Sequence, residues 1–479
     1  MTPTLAIVSM LHEPRERNSA TRLFRGEPVL CWTLSRLCQA ARLSNIAILC
    51  WEDQVRAVEP IAGDSSVDVL AKGPRRRLAA IDSVAAARRW TDGWRGGLLG
   101  ACDFDLGFYA PWALELLEAL RAESAVLVDP SSGLVDPALI DALIARADAC
   151  PDAELIFSQA ASGLGGALVR APLLGRLTPI ESHAGRLLHY LPDRPVPDPI
   201  TSTACVPVAT SVARCPRSLR LDSARQIDRI SSAAASLNGD LRTSDSEALV
   251  GHIMRAPAID SAPREIVLEL NTTRRTSPIY WPGKHLPIQR PQLEPARVAR
   301  ILSELGRYED SRLVLGGVGD PLESDVLFET IELARRSGIR AIMLQTDLLT
   351  EDKPRISRLA GTDLDVISVN VPAASAATYA SVMGTDGYRR VIDNIAEFVR
   401  ARQSHSRGVP LLVPVFAKCA QNLAEMEAWY DQWLRTLGCA VIDGPSDFAG
   451  QIPAHAVADM SPSKRAPCAR LSSRLTVLC

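Results

Sequence analysis

From residue 265 to residue 444 the chain repeats one alternation, a short apolar run of strand length followed by a longer run with apolar positions at helical spacing. The strand-length runs are EIVLEL (265–270), RLVLGG (312–317), AIMLQT (341–346), DVISVNV (365–371), VPLLVPVF (409–416) and CAVIDG (439–444). Between them lie PARVARILSELGR (295–307), DVLFETIELARRSG (325–338), a helix near 353–360, helices at 375–382 and 388–402, and NLAEMEAWYDQWLRTLG (422–438). Near-continuous apolar strands are covered by helices on their faces, which makes them parallel and joined by right-handed crossovers. Such a series closes either as an open sheet or as a barrel-like curl, and both gather ligands at the C-terminal ends of the strands.

The first part of the chain follows the same logic less regularly. LAIVSML (5–11), NIAILCWED (45–53), SAVLVDP (124–130) and ELIFSQA (154–160) read as strands, with VLCWTLSRLCQAAR (29–42) and DPALIDALIARADAC (136–150) as helices. This pattern predicts a doubly wound α/β domain over 1–230. Residues 231–262 are small, polar and weakly periodic and read as a linker carrying one helix at 245–254. A second domain is expected over 263–445, followed by a tail at 446–479. The net charge of −2 offers no basic surface for nucleic acid, and no apolar run has the length of a membrane span. The charges of MTPTLAIVSMLHEPRER follow its apolar stretch, the reverse of a secretion signal, so a cytoplasmic protein is expected. The eleven cysteines include no CxxC pair and read as reduced, buried thiols.

Particular motifs sharpen this. LGGVGDPLESDVLFETIELARRSGI resembles the second βα unit of radical SAM enzymes. LQTDLL resembles the third strand of that family, and DLDVISVNVPAASAATYASVMGTDGYRRVIDNIAEFV its fourth unit. The tail SKRAPCARLSSRLTVLC is similar to the entry of a SPASM extension, with Cys468 and Cys479 matching the start of its cysteine set. In the first domain, FRGEPVLCWTLSRLCQA and LVDPSSGLVDPALIDALI resemble nucleotide-diphosphosugar-type nucleotidyltransferases, in particular cytidylyltransferases. The pairing is that of spiro-SPASM proteins. The resemblance implies an α/β fold in which a doubly wound transferase-like domain precedes a partial (β/α)6 radical SAM-like barrel. It also implies S-adenosylmethionine and a [4Fe–4S] cluster as cofactors.

The cluster of that family hangs from three cysteines on the loop after the first strand, and three thiolates leave one iron open for the methionine moiety. Here that loop is NTTRRTSPIYWPG (271–283). Thr273, Arg274, Arg275 and Thr276 stand where ligands belong, and none is an iron–sulfur ligand. His285 offers one imidazole in place of three thiolates. The cluster is therefore expected to be absent, with Arg274 and Arg275 offering positive charge to an anion. Gly316, Gly317, Asp320 and Asn370 match the cofactor-binding positions of the resemblance. Read locally, they are a tight strand–helix turn and a helix-entry motif. In the first domain Arg15, Arg17 and Arg22 are candidates for holding phosphates, or form a solvated basic loop. Asp129 is the candidate Mg²⁺ ligand, or an Asp-Pro turn. Glu27 replaces a phosphate-contacting lysine of the resembled family. Trp429, Tyr430 and Trp433 read as core.

The functional expectation is a radical SAM-like chain without radical chemistry, kept as a SAM- or nucleotide-binding or regulatory module. The partners expected are a small-molecule or nucleotide ligand and a protein, with no nucleic acid and no membrane. Two alternatives stand beside it. One is nucleotidyltransferase activity in the first domain, using CTP or another NTP with Mg²⁺. The other is a non-catalytic scaffold.

Overall fold

The computed structural model describes residues 3–63, 67–195, 197–235, 240–256, 262–405, 407–458 and 470–479. The chain forms two compact units, Met1–Tyr190 with Arg194–Pro257, and Leu191–Asp193 with Ala258–Cys479. Both are α/β, as the alternation predicts.

The first unit is built on a 7-stranded sheet. Its strands are β1 (Thr4–Ser9), β2 (Asn45–Cys50), β3 (Val67–Ala71), β4 (Ser124–Val128), β5 (Leu155–Ser158), β6 (Ala167–Arg170) and β7 (Cys205–Val206), in the order β3-β2-β1-β4-β6-β5-β7. Strands β3, β2, β1 and β4 run parallel, with Leu5 opposite Asn45 and Val8 opposite Val128. The β4–β6 and β5–β6 pairs are antiparallel. Strand β1 is apolar over most of its length and buried throughout, as expected of a central strand covered on both faces. Helices α1 (Val29–Leu37) and α2 (Pro137–Ala149) cover one face. Asp136 caps α2 by accepting from Ala138 N at 3.0 Å, with Pro137 in the first turn.

This unit extends into the stretch that composition assigns to a linker. Helices α3 (Ala224–Ala234) and α4 (Ser246–Arg255) belong to it, and Leu249, Val250 and Ile253 of α4 are buried in its core. The tie is the buried Arg36, whose guanidinium donates to Val135 O, Leu241 O and Ser244 O at 2.5, 2.8 and 2.8 Å. The reading of 231–262 as linker is corrected on this ground, and α4 confirms the helix expected at 245–254 within one residue at each end. A small polar segment can look like a linker when its anchor lies two hundred residues away, as Arg36 does here.

The second unit is a 7-stranded, all-parallel sheet. Its strands are β8 (Glu265–Leu268), β9 (Arg312–Leu315), β10 (Ala341–Thr346), β11 (Val366–Asn370), β12 (Leu411–Ala417), β13 (Val441–Asp443) and β14 (Arg474–Val477). The order is β13-β12-β11-β10-β9-β8-β14. The first six are in sequence order, which is what consecutive right-handed βα units produce. Strand β14 lies outside β8, with Glu265 opposite Arg474 and Leu268 opposite Val477. The end of the tail thus completes a sheet, where the sequence suggests only the start of a separate extension. Crossover helices α5 (Pro295–Leu305), α6 (Leu327–Arg336), α7 (Lys353–Ala360), α8 (Ala376–Met383), α9 (Tyr388–Ser404) and α10 (Met426–Leu437) follow the strands. Trp429 and Trp433 of α10 are buried, with Phe416 5.0 Å from Trp429, while Tyr430 is half-buried.

Candidate functional site

In the second unit the C-terminal strand ends carry a dense polar network. The loop after β8 crosses above them, and its backbone is fixed at several points. Thr273 N donates to Asn271 Oδ1 at 2.9 Å, Asp320 N donates to Thr273 O at 2.8 Å, and Ile279 N donates to Val382 O at 2.9 Å. Asp347, 1% exposed, sits just past the end of β10 beneath this loop. It accepts from Arg274 Nε at 2.7 Å, from Arg274 again through its second nitrogen, from Thr276 Oγ1, and from Asn370 Nδ2 at 3.2 Å. Arg274 also lies over the Trp281 ring, 4.2 Å from its centroid. Burial alone would lower the Arg274 pKa, but Asp347 and Asp320 raise it above the ordinary value. Tyr280 OH donates to Asn370 Oδ1 at 3.2 Å.

The matched cofactor positions are spent in the same way. Asp320 accepts from Leu322 N at 2.9 Å, Thr346 Oγ1 at 2.9 Å and Asp347 N at 2.8 Å. Burial and then the Asp347 charge push its pKa up to about 6. Gly317 has φ +138°, and a Cβ there would meet Glu269 Cγ at 2.6 Å, while one on Gly316 would meet Gln345 Oε1 at 2.5 Å. The room these glycines leave is filled by side chains of this chain. Glu269 is 0% exposed and accepts from Arg290 Nε at 3.0 Å, Arg290 NH2 at 2.6 Å and Val318 N at 2.7 Å. Arg275 is exposed and pairs with Glu323 at 2.8 Å. Both loop arginines therefore already face carboxylates, which corrects the expectation that they present free positive charge.

The residues do not fit a [4Fe–4S] cluster. The loop holds no thiol, and His285 Nε2 is 2.7 Å from Ile279 O and is used locally. Among the described residues no group of three or more His, Cys, Asp or Glu is arranged to hold a metal ion. Cys479 donates its thiol to Glu269 Oε1 at 3.1 Å, and burial with the nearby carboxylate pushes its pKa up to about 11, the opposite of a ligating thiolate. Cys468 lies outside the described residues. Beside the loop lies a groove of about 640 Å³, lined by Thr272, Thr273, Arg274, Gln289 and Arg290 among others.

In the first unit the equivalent strand ends hold a buried charged cluster. Asp129 follows β4 and accepts at Oδ1 from Ser131 N at 2.9 Å and from Ser131 Oγ. Its Oδ2 is 3.3 Å from His12 Nε2, and Arg220 Nε is 3.6 Å from Oδ1. Burial raises the Asp129 pKa, but Arg220 and His12 outweigh it and hold the carboxyl below the usual range. Burial pushes Asp103 up to about 6. Arg15 and Arg17 are exposed, and Arg22 donates to Arg17 O at 2.6 Å. The structure brings none of these three arginines to Asp129. Instead His12 and the buried Glu13, from the same loop, turn inward. Glu27 pairs with Arg242. Sequence reading missed His12, Glu13, Asp103 and Arg220. The only available signal was the HE dipeptide directly after a central strand.

Comparison with known proteins adds little weight. No family model matches the sequence. An uncharacterized protein of Treponema pallidum (strain Nichols) is 23% identical over 240 residues, covering 47% of this chain and 65% of that protein. SuiB of Streptococcus suis bound to S-adenosylmethionine is 16% identical at a TM-score of 0.35, over 47% of this chain and 52% of that one. A cytidylyltransferase from Leptospira borgpetersenii serovar Hardjo-bovis (strain JB197) is 15% identical at 0.36, over 53% and 93%. HydG, a maturase of the [FeFe]-hydrogenase, is 14% identical at 0.29, over 48% and 54%. Likeness at this level leaves the chemistry to be argued from the residues.

Proposed function

We propose that this chain is a radical SAM/SPASM-like protein of spiro-SPASM type that has given up radical chemistry and serves as a small-molecule- or nucleotide-binding, regulatory module. One observation carries the reading. The loop that holds the cluster in the resembled family is closed here by the buried Arg274–Asp347 pair, with Thr276 and Asn370 completing the carboxylate's hydrogen bonds. A buried charge with all its partners in place has no spare valence for a metal. Glu269, paired with Arg290, fills the space above Gly317 in the same manner. The groove beside the loop is then the place for a ligand, of a size suited to a nucleoside.

Metal analysis tests the proposal. The anaerobically purified and reconstituted full chain should contain no stoichiometric iron and show no brown iron–sulfur absorption. About four iron atoms per chain would overturn it. The nucleotidyltransferase alternative predicts that CTP with Mg²⁺ raises the melting temperature by mass action. The proposal expects no Mg²⁺-dependent shift.

A further inference from the structure

We propose that Arg220 is the resident cation of the first unit, its guanidinium standing between Asp129 and Asp222 in the place a divalent ion would take. Arg220 Nε is 3.6 Å from Asp129 Oδ1 and donates to Ser131 Oγ at 3.1 Å, and its NH2 is 3.0 Å from Asp222 Oδ2. One planar fork thus reaches two carboxylates and the hydroxyl that links to one of them. The Asp129 and Arg220 side chains are 3% and 14% exposed, while that of Asp222 is 34% exposed. Asp103, Glu13, His12 and Arg88 are the other titratable groups that face the site.

The position of the arginine is imposed by its neighbours. Leu219 N donates to Ser162 O and Leu221 N to Ser131 O, both at 2.8 Å, so the backbone is pinned on each side of Arg220. Gly163, at φ +91°, lets this strap approach, since a Cβ there would meet Arg220 N at 2.7 Å. A side chain held in this way loses little entropy in making its ion pairs. A magnesium ion needs near-octahedral oxygen ligation. At Asp129, Oδ1 is occupied by Ser131, while Oδ2 is buried without a hydrogen-bond partner, 3.3 Å from His12 Nε2, and no three His, Cys, Asp or Glu side chains among the described residues are grouped to hold a metal ion. With Arg220 in place the donor set does not fit the ion that the resemblance implies, because the guanidinium already stands against both carboxylates, and only its removal opens them to a divalent ion. This inference concerns the first unit, so it stands or falls separately from the loss of the cluster in the second.

Manganese binding to the full chain, read from the electron paramagnetic resonance of free Mn²⁺, tests it. The wild type should leave millimolar Mn²⁺ free. Arg220→Ala should melt on the order of 10 °C lower, because it strands buried carboxylates. The same variant should take up Mn²⁺, recover part of the loss, and lose that recovery when Asp129→Asn is added. Mn²⁺ uptake by the wild type that Asp129→Asn abolishes would overturn the proposal. So would an Arg220→Ala protein that is as stable as the wild type and binds no Mn²⁺. If Arg220→Ala yields no folded protein, the Asp129→Asn/Arg220→Ala double variant decides. Recovery of folding supports charge neutralisation, and failure to recover refutes it.

Discussion

Asp347, bonded by the loop after β8, and Arg275, part of that loop, differ in what surrounds them. The Asp347 carboxylate is buried and accepts from three residues, while the Arg275 side chain is 46% exposed. Removing one partner of a buried pair leaves the other charged and unsolvated, at a cost of about 3–5 kcal/mol, whereas an exposed pair contributes about 0–1 kcal/mol. Asp347→Ala should therefore lower the melting temperature of the second unit sharply, and Arg275→Ala should scarcely move it. Equal losses in the two variants would mean that Asp347 is not what closes the loop. The sequence shows that the loop carries no cysteine. It does not show what closes the loop instead, because Arg274 meets a carboxylate 73 positions away and Glu269 meets Arg290 from 21 positions away. In the sequence, Glu269 is one of two acids in the run EIVLEL, and nothing local says that it is the buried one.

At the scale of elements, the βα series was legible because each strand and helix carries its own period. All six strand-length runs form strands, and the helices between them stand where the apolar spacing places them. What escaped were features whose partners are remote, namely helix α3, the packing of the expected helix α4 into the first unit's core, and β14 in the tail. Asp320 shows how a single side chain joins such elements. It caps the 3-10 turn Pro321–Glu323 after β9 and accepts from Thr346 and Asp347 at the end of β10. Its pKa is pushed up to about 6 by burial and Asp347, above the ordinary aspartate range. The folded state then takes up this proton at a higher pH than the unfolded state does. Stability from Asp320 is therefore gained as pH falls through about 6 toward the ordinary range, and lost as pH rises through it. The melting-temperature difference between wild type and Asp320→Asn should shift in favour of the wild type between pH 7 and pH 5. A difference that stays flat across that window would show that the carboxyl is not held up by its surroundings.

Across the whole chain one substitution recurs. Where the resemblance implies an inorganic cation, each unit places an arginine against a buried aspartate, Arg220 on Asp129 and Arg274 on Asp347. Arginine suits this use because it stays charged when buried and its fork matches a carboxylate. It also ties the polar strand ends to the fold, so each site becomes part of its own unit's stability. For the first unit this has a direct consequence. Its core, its charged cluster and the strap that carries Arg220 all lie before Pro257. Residues 1–257 expressed alone should therefore melt in one cooperative transition, and Arg220→Ala should lower that transition, as is expected of it in the full chain. Calorimetry of the fragment checks both points. A broad, non-cooperative melt would place essential packing beyond Pro257. A cooperative melt indifferent to Arg220 would remove the ion pair from the forces that hold the unit together.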